Sequence, residues 1–342
     1  MILCTFARAM KIVIDDKIPY IREAVAFVTD NAVYMDGSKI TAADVRDADA
    51  LIVRTRTLCD ERLLGGSSVR FVGTATIGYD HLDTAWLDSV GIRWTNCPGC
   101  NAASVAQYLR SVLLLLARDY GVSLSGTTLG IVGCGHVGGL VRDAALSLGM
   151  RVLVCDPPVG APGYVPLDAI ESEADIITFH VPLVRGGDNP TWHLADEAFF
   201  SRLARRPFVI NTSRGAVVDN AALLRALDDG RVRQAVVDTW EHEPEINVDL
   251  LERVYIATPH IAGYSADGKA NADNMVMEAL CRFFGVTPPP PVVPPSLPAD
   301  FVYTGDPLQL YNPLDDSRRL KVAPDMFEHL RGAYPLRRES LT

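Results

Sequence analysis

The chain has 342 residues, 48% hydrophobic and 22% charged, the makeup of a soluble globular protein long enough for two or three domains. Its 32 basic and 42 acidic side chains leave a formal charge of -10. That argues against a nucleic-acid or anionic-membrane partner, because no basic run offsets the overall field, and an anionic substrate must be held by a few well-placed arginines.

The opening MILCTFARAM lacks the charged start, apolar core and cleavage site of a signal peptide, and Met10 offers a second candidate start before the strand-like KIVID. The seven cysteines, an odd number scattered over the chain, fit reduced thiols in a cytoplasm rather than a disulfide framework. Short β-branched runs then alternate with helical stretches, the pattern of βαβ units and parallel sheets. The first set is KIVID, ALIVRT, VRFVGTAT and GIRWTN. A long apolar helix is expected over Ala103 to Tyr120; its SVLLLLA run is far too short to span a membrane and reads as buried. The second set is TLGIVG, RVLVCD, DIITFHVPL, PFVINTS, QAVVDTW and VYIATPH. After Val286, TPPPPVVPPSLP reads as an extended, semi-rigid spacer, followed by a small strand-and-helix appendage too short for much core of its own.

Chemically useful residues stand just beyond the strands: Thr55, Thr76, Asp156, His180, Arg214, Asp238 and His260. Open α/β sheets bind ligands at the carboxyl ends of their strands, so two such sheets suggest a cleft between two domains. The stretch Gly133-Cys134-Gly135-His136-Val137-Gly138 follows a strand and opens a helix. Gly133 permits the tight turn, Gly135 lets a pyrophosphate approach the backbone, and Gly138 lets helix and strand pack closely. Asp156, ending the next strand, suits the adenosine ribose hydroxyls and would repel the extra phosphate of NADP, so NAD is the expected cofactor. Arg214 can form a two-pronged bond to a carboxylate. His260 can exchange a proton near neutral pH, and Glu243 could pair with it. Cys97-Pro-Gly-Cys100 could be a redox couple, half a zinc site, or two unrelated thiols. No second CxxC or clustered His completes a zinc site, so no metal is expected, and Pro-Gly favours a turn.

GCGHVG, SRGAVVD, WEHEPE and PHIAG resemble the D-isomer-specific 2-hydroxyacid dehydrogenases over about residues 11–286. GTATIGYDHLD, PGCNA, TFHVPL, HLADE, EINVDLL and TPHIAGYSADGKA are similar to one branch, which oxidises a small phosphorylated 2-hydroxyacid in the pyridoxal phosphate pathway. The resemblance implies Arg214, Glu243 and His260 as catalytic residues. It places Asp156, Val181, Asp238 and Gly263 at NAD and Thr55, Thr76 and Tyr264 at the substrate. In PGCNA only Cys100 belongs to the family pattern. Arg54 and Arg56, flanking Thr55, are candidate phosphate anchors by placement.

The expected fold class is α/β: two Rossmann-like, doubly wound parallel-sheet domains with a short C-terminal α+β appendage. Residues 1–100 and 266–286 would form a flavodoxin-like substrate domain and 101–265 an NAD domain. Residues 287–342 would form the proline-rich linker and a short dimerisation segment, abbreviated relative to the family pattern. A homodimer is expected, with the long helix contributing. Arg56 is similar to the phosphoglycerate dehydrogenases, which keeps 3-phosphoglycerate or another D-2-hydroxyacid open as substrate. A NAD-sensing, corepressor-like binding protein is the rival from another class, because function lives in the site and not in the fold.

Overall fold

The computed structural model describes residues 10–340; the segment 1–9, where the absence of a leader was read, lies outside the described residues. The chain forms two units, one from residues 10–101 and 265–297, the other from 102–264 and 298–340.

The first unit is built on a parallel sheet of β1 (Ile12–Asp15), β2 (Ala32–Met35), β3 (Ala50–Val53), β4 (Phe71–Thr74) and β5 (Arg93–Thr95). The strand order is β2-β1-β3-β4-β5, with the order reversing between β1 and β3. Strands β1, β3 and β4 are buried throughout, as expected where both faces of a parallel sheet are covered. Their apolar runs are for that reason readable in the sequence. Strand β2 was not anticipated. It lies at the sheet edge, only partly buried, so AVYM lacks the continuous apolar character of its neighbours.

The second unit contains β6 (Thr128–Val132), β7 (Arg151–Cys155), β8 (Ile176–Phe179), β9 (Phe208–Asn211), β10 (Gln234–Val237) and β11 (Ile256–Ala257). All pairings are parallel, in the order β11-β10-β9-β8-β6-β7. Because β7 and β8 flank β6, the chain reverses direction across the sheet there, which opens a crevice at the strands' carboxyl ends. The long helix runs Ala102–Tyr120, and Tyr108, Leu109, Val112, Leu113, Leu115 and Leu116 on it are fully buried. Each such side chain stabilises the fold by roughly 1.5–3 kcal/mol when taken from water. No helix among the described residues is long and apolar enough to cross a membrane.

The C-terminal segment joins this second unit through the helices Pro313–Val322 and Phe327–Gly332, whose Leu320 and Phe327 are buried in the unit's core. The strand expected in the appendage does not form among the described residues. At FVYT the Thr304 N–H is taken by the Gln309 side chain, and the chain turns into the short 3-10 segment Pro307–Gln309 instead of a ladder.

One buried carboxyl group stands out in the first unit. Asp273, on the helix Ala266–Phe284, is 1% exposed, and neither carboxylate oxygen has a hydrogen-bond partner among the described residues. Burial pushes its pKa from 3.8 up to about 8, against a weaker downward pull from Lys269. The folded state therefore keeps a proton that the unfolded chain loses above about pH 4, so stability falls as pH rises from there to about 8 and then levels off. Asp273→Asn removes that cost. The variant should be more stable than wild type at pH 8, by on the order of 1–3 kcal/mol, and match it near pH 4. A difference that does not vary with pH would contradict the assignment.

Candidate active site

In the second unit the carboxyl end of every strand carries a residue singled out from the sequence. Gly133 follows β6, Asp156 β7, Val181 β8, Arg214 β9, Asp238 β10 and His260 β11. His180, also after β8, is half-buried. Desolvation lowers its pKa to about 3, so it is neutral and hydrogen-bonds Thr178.

The glycine turn has the geometry a pyrophosphate needs. Gly133 has φ +90, and a Cβ there would lie 2.7 Å from both His180 O and Val181 Cγ1. At Gly138 a Cβ would sit 2.1 Å from Gly133 O, so the helix can start only on a hydrogen side chain. At Gly135 the same atom would meet nothing within 4 Å. That open space lies at the start of the helix His136–Ser147, which no side chain caps among the described residues. Uncapped amides and the positive end of the helix dipole favour a phosphate there. Asp156 Oδ2 accepts from the Cys134 N–H at 2.7 Å, which ties the end of β7 to the turn. These residues fit a dinucleotide.

Arg214 stands beside the turn that carries Glu243. Gly215 makes this possible, since a Cβ there would be 1.8 Å from Trp240 O. Arg214 is half-buried and donates from Nη1 to Ser213 O at 2.9 Å. His260 has φ +57, and its amide is held by Asp238 O at 2.8 Å. Its Nδ1 lies 2.8 Å from Glu243 Oε2, which leaves Nε2 for a reacting proton. Burial pushes the Glu243 carboxyl up, but the His260 charge and hydrogen bond, the Trp240 N–H and Arg331 together hold it below its usual range. The pairing read from the sequence is formed.

Asp238 lies under the loop Thr258–Tyr264, and not on an open surface. It is 1% exposed, and its oxygens accept from the Thr258 hydroxyl (2.6 Å), Ile261 N–H (2.8 Å) and Ala262 N–H (3.0 Å). Tyr108 of the long helix completes the chain, its hydroxyl 2.8 Å from Thr258 Oγ1. Burial pushes Asp238 up, with His260 and these hydrogen bonds opposing.

Two residues of this site were missed. Arg337 is buried and donates to the carbonyls of Ile261 (3.1 Å), Ala262 (2.7 Å) and Tyr264 (2.8 Å), so it fixes the segment carrying Gly263 and Tyr264. Its guanidinium stacks 3.8 Å from the centre of the Tyr311 ring. Arg331 donates from Nε to the Tyr264 hydroxyl at 3.3 Å and lies 3.7 Å from Glu243 Oε2. Both come from the C-terminal appendage. The only signal was an arginine-rich tail in an acidic chain, which reads equally well as solvated charge.

In the first unit, Thr76 is half-buried, its hydroxyl bonded to Thr74 and Gly78 O, and Thr55 and Arg56 are exposed just after β3. Arg54 faces Asp15, with Nε 3.4 Å from the Oδ2 of that buried carboxylate. Its charge therefore serves that carboxylate. Cys97 and Cys100 are buried free thiols. The Cys97 Sγ donates to Thr74 O and Ala272 O, and burial pushes it well above the usual thiol range, which makes it an unreactive packing group.

Residues 108–262 match the model of the D-isomer specific 2-hydroxyacid dehydrogenase NAD binding domain. Among solved structures, a NAD+-bound 3-phosphoglycerate dehydrogenase of Entamoeba histolytica superposes with a TM-score of 0.70 at 25% identity, covering 81% of this chain and 96% of that one. A D-lactate dehydrogenase of Aquifex aeolicus, at 24% identity and TM-score 0.66, shares the fold over 80% of this chain and 96% of its own. The chain belongs to the D-isomer-specific 2-hydroxyacid dehydrogenases. Within them it is 52% identical over 338 residues to the erythronate-4-phosphate dehydrogenase of Bacteroides thetaiotaomicron, covering 96% of this chain and 97% of that protein. The erythronate-4-phosphate dehydrogenase of Porphyromonas gingivalis is 43% identical, with 96% and 94% covered.

The three glycines should separate by experiment. Gly138→Ala, which presses a methyl onto backbone, should destabilise the fold by about 1–3 kcal/mol. Gly135→Ala should leave the melting temperature near wild type while weakening NAD binding at least tenfold by calorimetry. Equal NAD affinity in a folded Gly135→Ala protein would remove the pyrophosphate from that space.

Proposed function

We propose that the protein oxidises 4-phospho-D-erythronate at C2 to (R)-3-hydroxy-2-oxo-4-phosphooxybutanoate with NAD, a step towards pyridoxal 5'-phosphate. The single observation that carries the chemistry is the 2.8 Å contact between His260 Nδ1 and Glu243 Oε2. With Nδ1 occupied, Nε2 is the nitrogen that accepts the C2 hydroxyl proton. Glu243 orients the ring and stabilises the imidazolium that results. NAD, when bound, accepts the hydride leaving C2. Arg214 holds the substrate carboxylate through its fork and polarises the oxygen that becomes the ketone. Gly133, Gly135, His136, Val137 and Gly138 cradle the pyrophosphate, Asp156 takes the ribose hydroxyls, Val181 and Gly263 line the nicotinamide side, and Asp238 serves NAD from beneath, by holding the loop that carries Gly263. Thr55, Thr76 and Tyr264 contact the substrate.

The first unit is the substrate domain and the second the NAD domain in this reading. Arg56, exposed at the end of β3, and Arg54, which faces Asp15, are the candidates for the distal phosphate. We place the protein in the cytoplasm as a homodimer. The free thiols at Cys59, Cys97, Cys100, Cys134, Cys155 and Cys281 support a reducing compartment, and the family resemblance supports the dimer.

NADH formation followed at 340 nm should favour 4-phosphoerythronate over unphosphorylated erythronate and over 3-phosphoglycerate, with NAD well ahead of NADP because Asp156 repels a 2'-phosphate. His260→Asn should cut turnover by about 10²–10⁴-fold with NAD affinity unchanged. Preference for 3-phosphoglycerate would reassign the substrate. NAD binding without turnover of any 2-hydroxyacid would favour a sensor.

A further inference from the structure

We propose that Arg331 is a positioning residue that sets the pH range of the reaction, by sharing the Glu243 carboxylate with His260. The inference rests on the reading of Glu243 and His260 as the acid–base pair. Glu243 Oε2 accepts from His260 Nδ1 at 2.8 Å and has Arg331 Nη1 at 3.7 Å, so one oxygen faces two cations whenever the imidazole is protonated. A carboxylate partly neutralised by a permanent guanidinium holds an imidazolium less strongly than a lone carboxylate would. The Arg331 charge thereby offsets part of the support that Glu243 gives a protonated ring.

The charged groups around this cluster are few enough to follow. His260 faces Glu243 and, from the end of β10, Asp238. Arg331 faces Glu243 and Tyr264 from the two loops, and Glu328 from its own helix. The Tyr264 contact matters in a second way. Its hydroxyl oxygen accepts from Arg331 Nε at 3.3 Å, which directs the tyrosine's own proton outward as a donor. Arg331 arrives on the short helix Phe327–Gly332, anchored by the buried Phe327. The placement thus depends on the C-terminal segment and not on the dinucleotide-binding sheet.

The test uses substitutions that change charge with little change in shape. Arg331→Gln keeps a donor for Tyr264 but removes the cation. A unit charge several ångströms away in a partly solvated site moves a titration by roughly 0.5–2 pH units. In Arg331→Gln the pH at which oxidation reaches half its maximal rate should rise by about half a unit or more, with the KM for NAD unchanged. Arg331→Lys should return most of the way to wild type. The same displacement should appear without turnover, in the NMR titration of the imidazole signal that disappears in His260→Asn. Glu328→Gln, which strengthens the net positive charge beside Glu243, should move both midpoints the other way, and it carries the test alone if Arg331→Gln fails to fold. Unchanged midpoints in folded Arg331→Gln or Glu328→Gln, or shifts of the opposite sign, would overturn the proposal. Substantial turnover in His260→Asn would instead remove the acid–base reading beneath it.

Discussion

The peptide group between Ile261 and Ala262 is hydrogen-bonded at both ends to buried charges of opposite sign. Its N–H points to Asp238 and its C=O to Arg337. A carboxylate and a guanidinium are thus joined through one amide, and each polarises that amide in the same sense, which strengthens both bonds. The loop they hold contains Pro259, Ile261, Ala262 and Gly263, none of which has a polar side chain to fix it. At these four positions only the backbone can be gripped. Hydrogen bonds to charged groups contribute about 1.5–3 kcal/mol each, whereas leaving either charge buried and unmatched would cost more. The left-handed turn at His260 is held alongside it, with its amide on the backbone carbonyls of Asp238 and Thr258.

The two carboxylates near His260 are pushed in opposite directions by their surroundings. Burial dominates at Asp238 and raises it, despite three hydrogen bonds. At Glu243 the histidine, an amide and Arg331 outweigh burial and lower it. Such divergence separates roles within a site: one carboxyl organises backbone, while the other stays ionised against the ring. The chain's charge of -10 says nothing about this local balance. Within the site the positive groups are placed one by one, Arg214 beside the Glu243 turn, Arg331 against Glu243 and Arg337 among the loop carbonyls.

What the sequence revealed was whatever depends on short spacing. The central strands were legible because both faces are buried, so composition alone marks them. The glycine turn was legible because three backbone constraints fall within six residues, and Glu243 and His260 because they end consecutive strand units. Strand β2 escaped because an edge strand exposes part of each side chain. Arg331 and Arg337 escaped for a different reason. They lie more than sixty residues from the loop they hold, and arginine in a polar tail carries no periodicity to show which way it faces. Asp273 escaped similarly, in a polar stretch, ADGKANADN, where one acid of two gives no sign of burial. The two close cysteines show the converse. Their spacing suggested chemistry, and burial makes Cys97 a packing group.

The helices that deliver the two arginines could not persist alone. Helices as short as Pro313–Val322 and Phe327–Gly332 are marginal in water, since nucleation costs more than a few hydrogen bonds return. They are held by Leu320 and Phe327 in the core of the second unit, by Ser317 Oγ accepting from the Ala257 N–H, and by Arg337 itself among the loop carbonyls. The dependence is therefore mutual: the loop needs Arg337, and Arg337 needs the loop to stay buried. The glycine turn after β6 has no such tie, because its geometry is set by its own backbone, by Val181 and by Asp156. The proposed dinucleotide site and the proposed acid–base pair thus rest on separable parts of one unit. A change in the C-terminal segment can alter how His260 and Tyr264 are presented while the pyrophosphate cradle stays as it is.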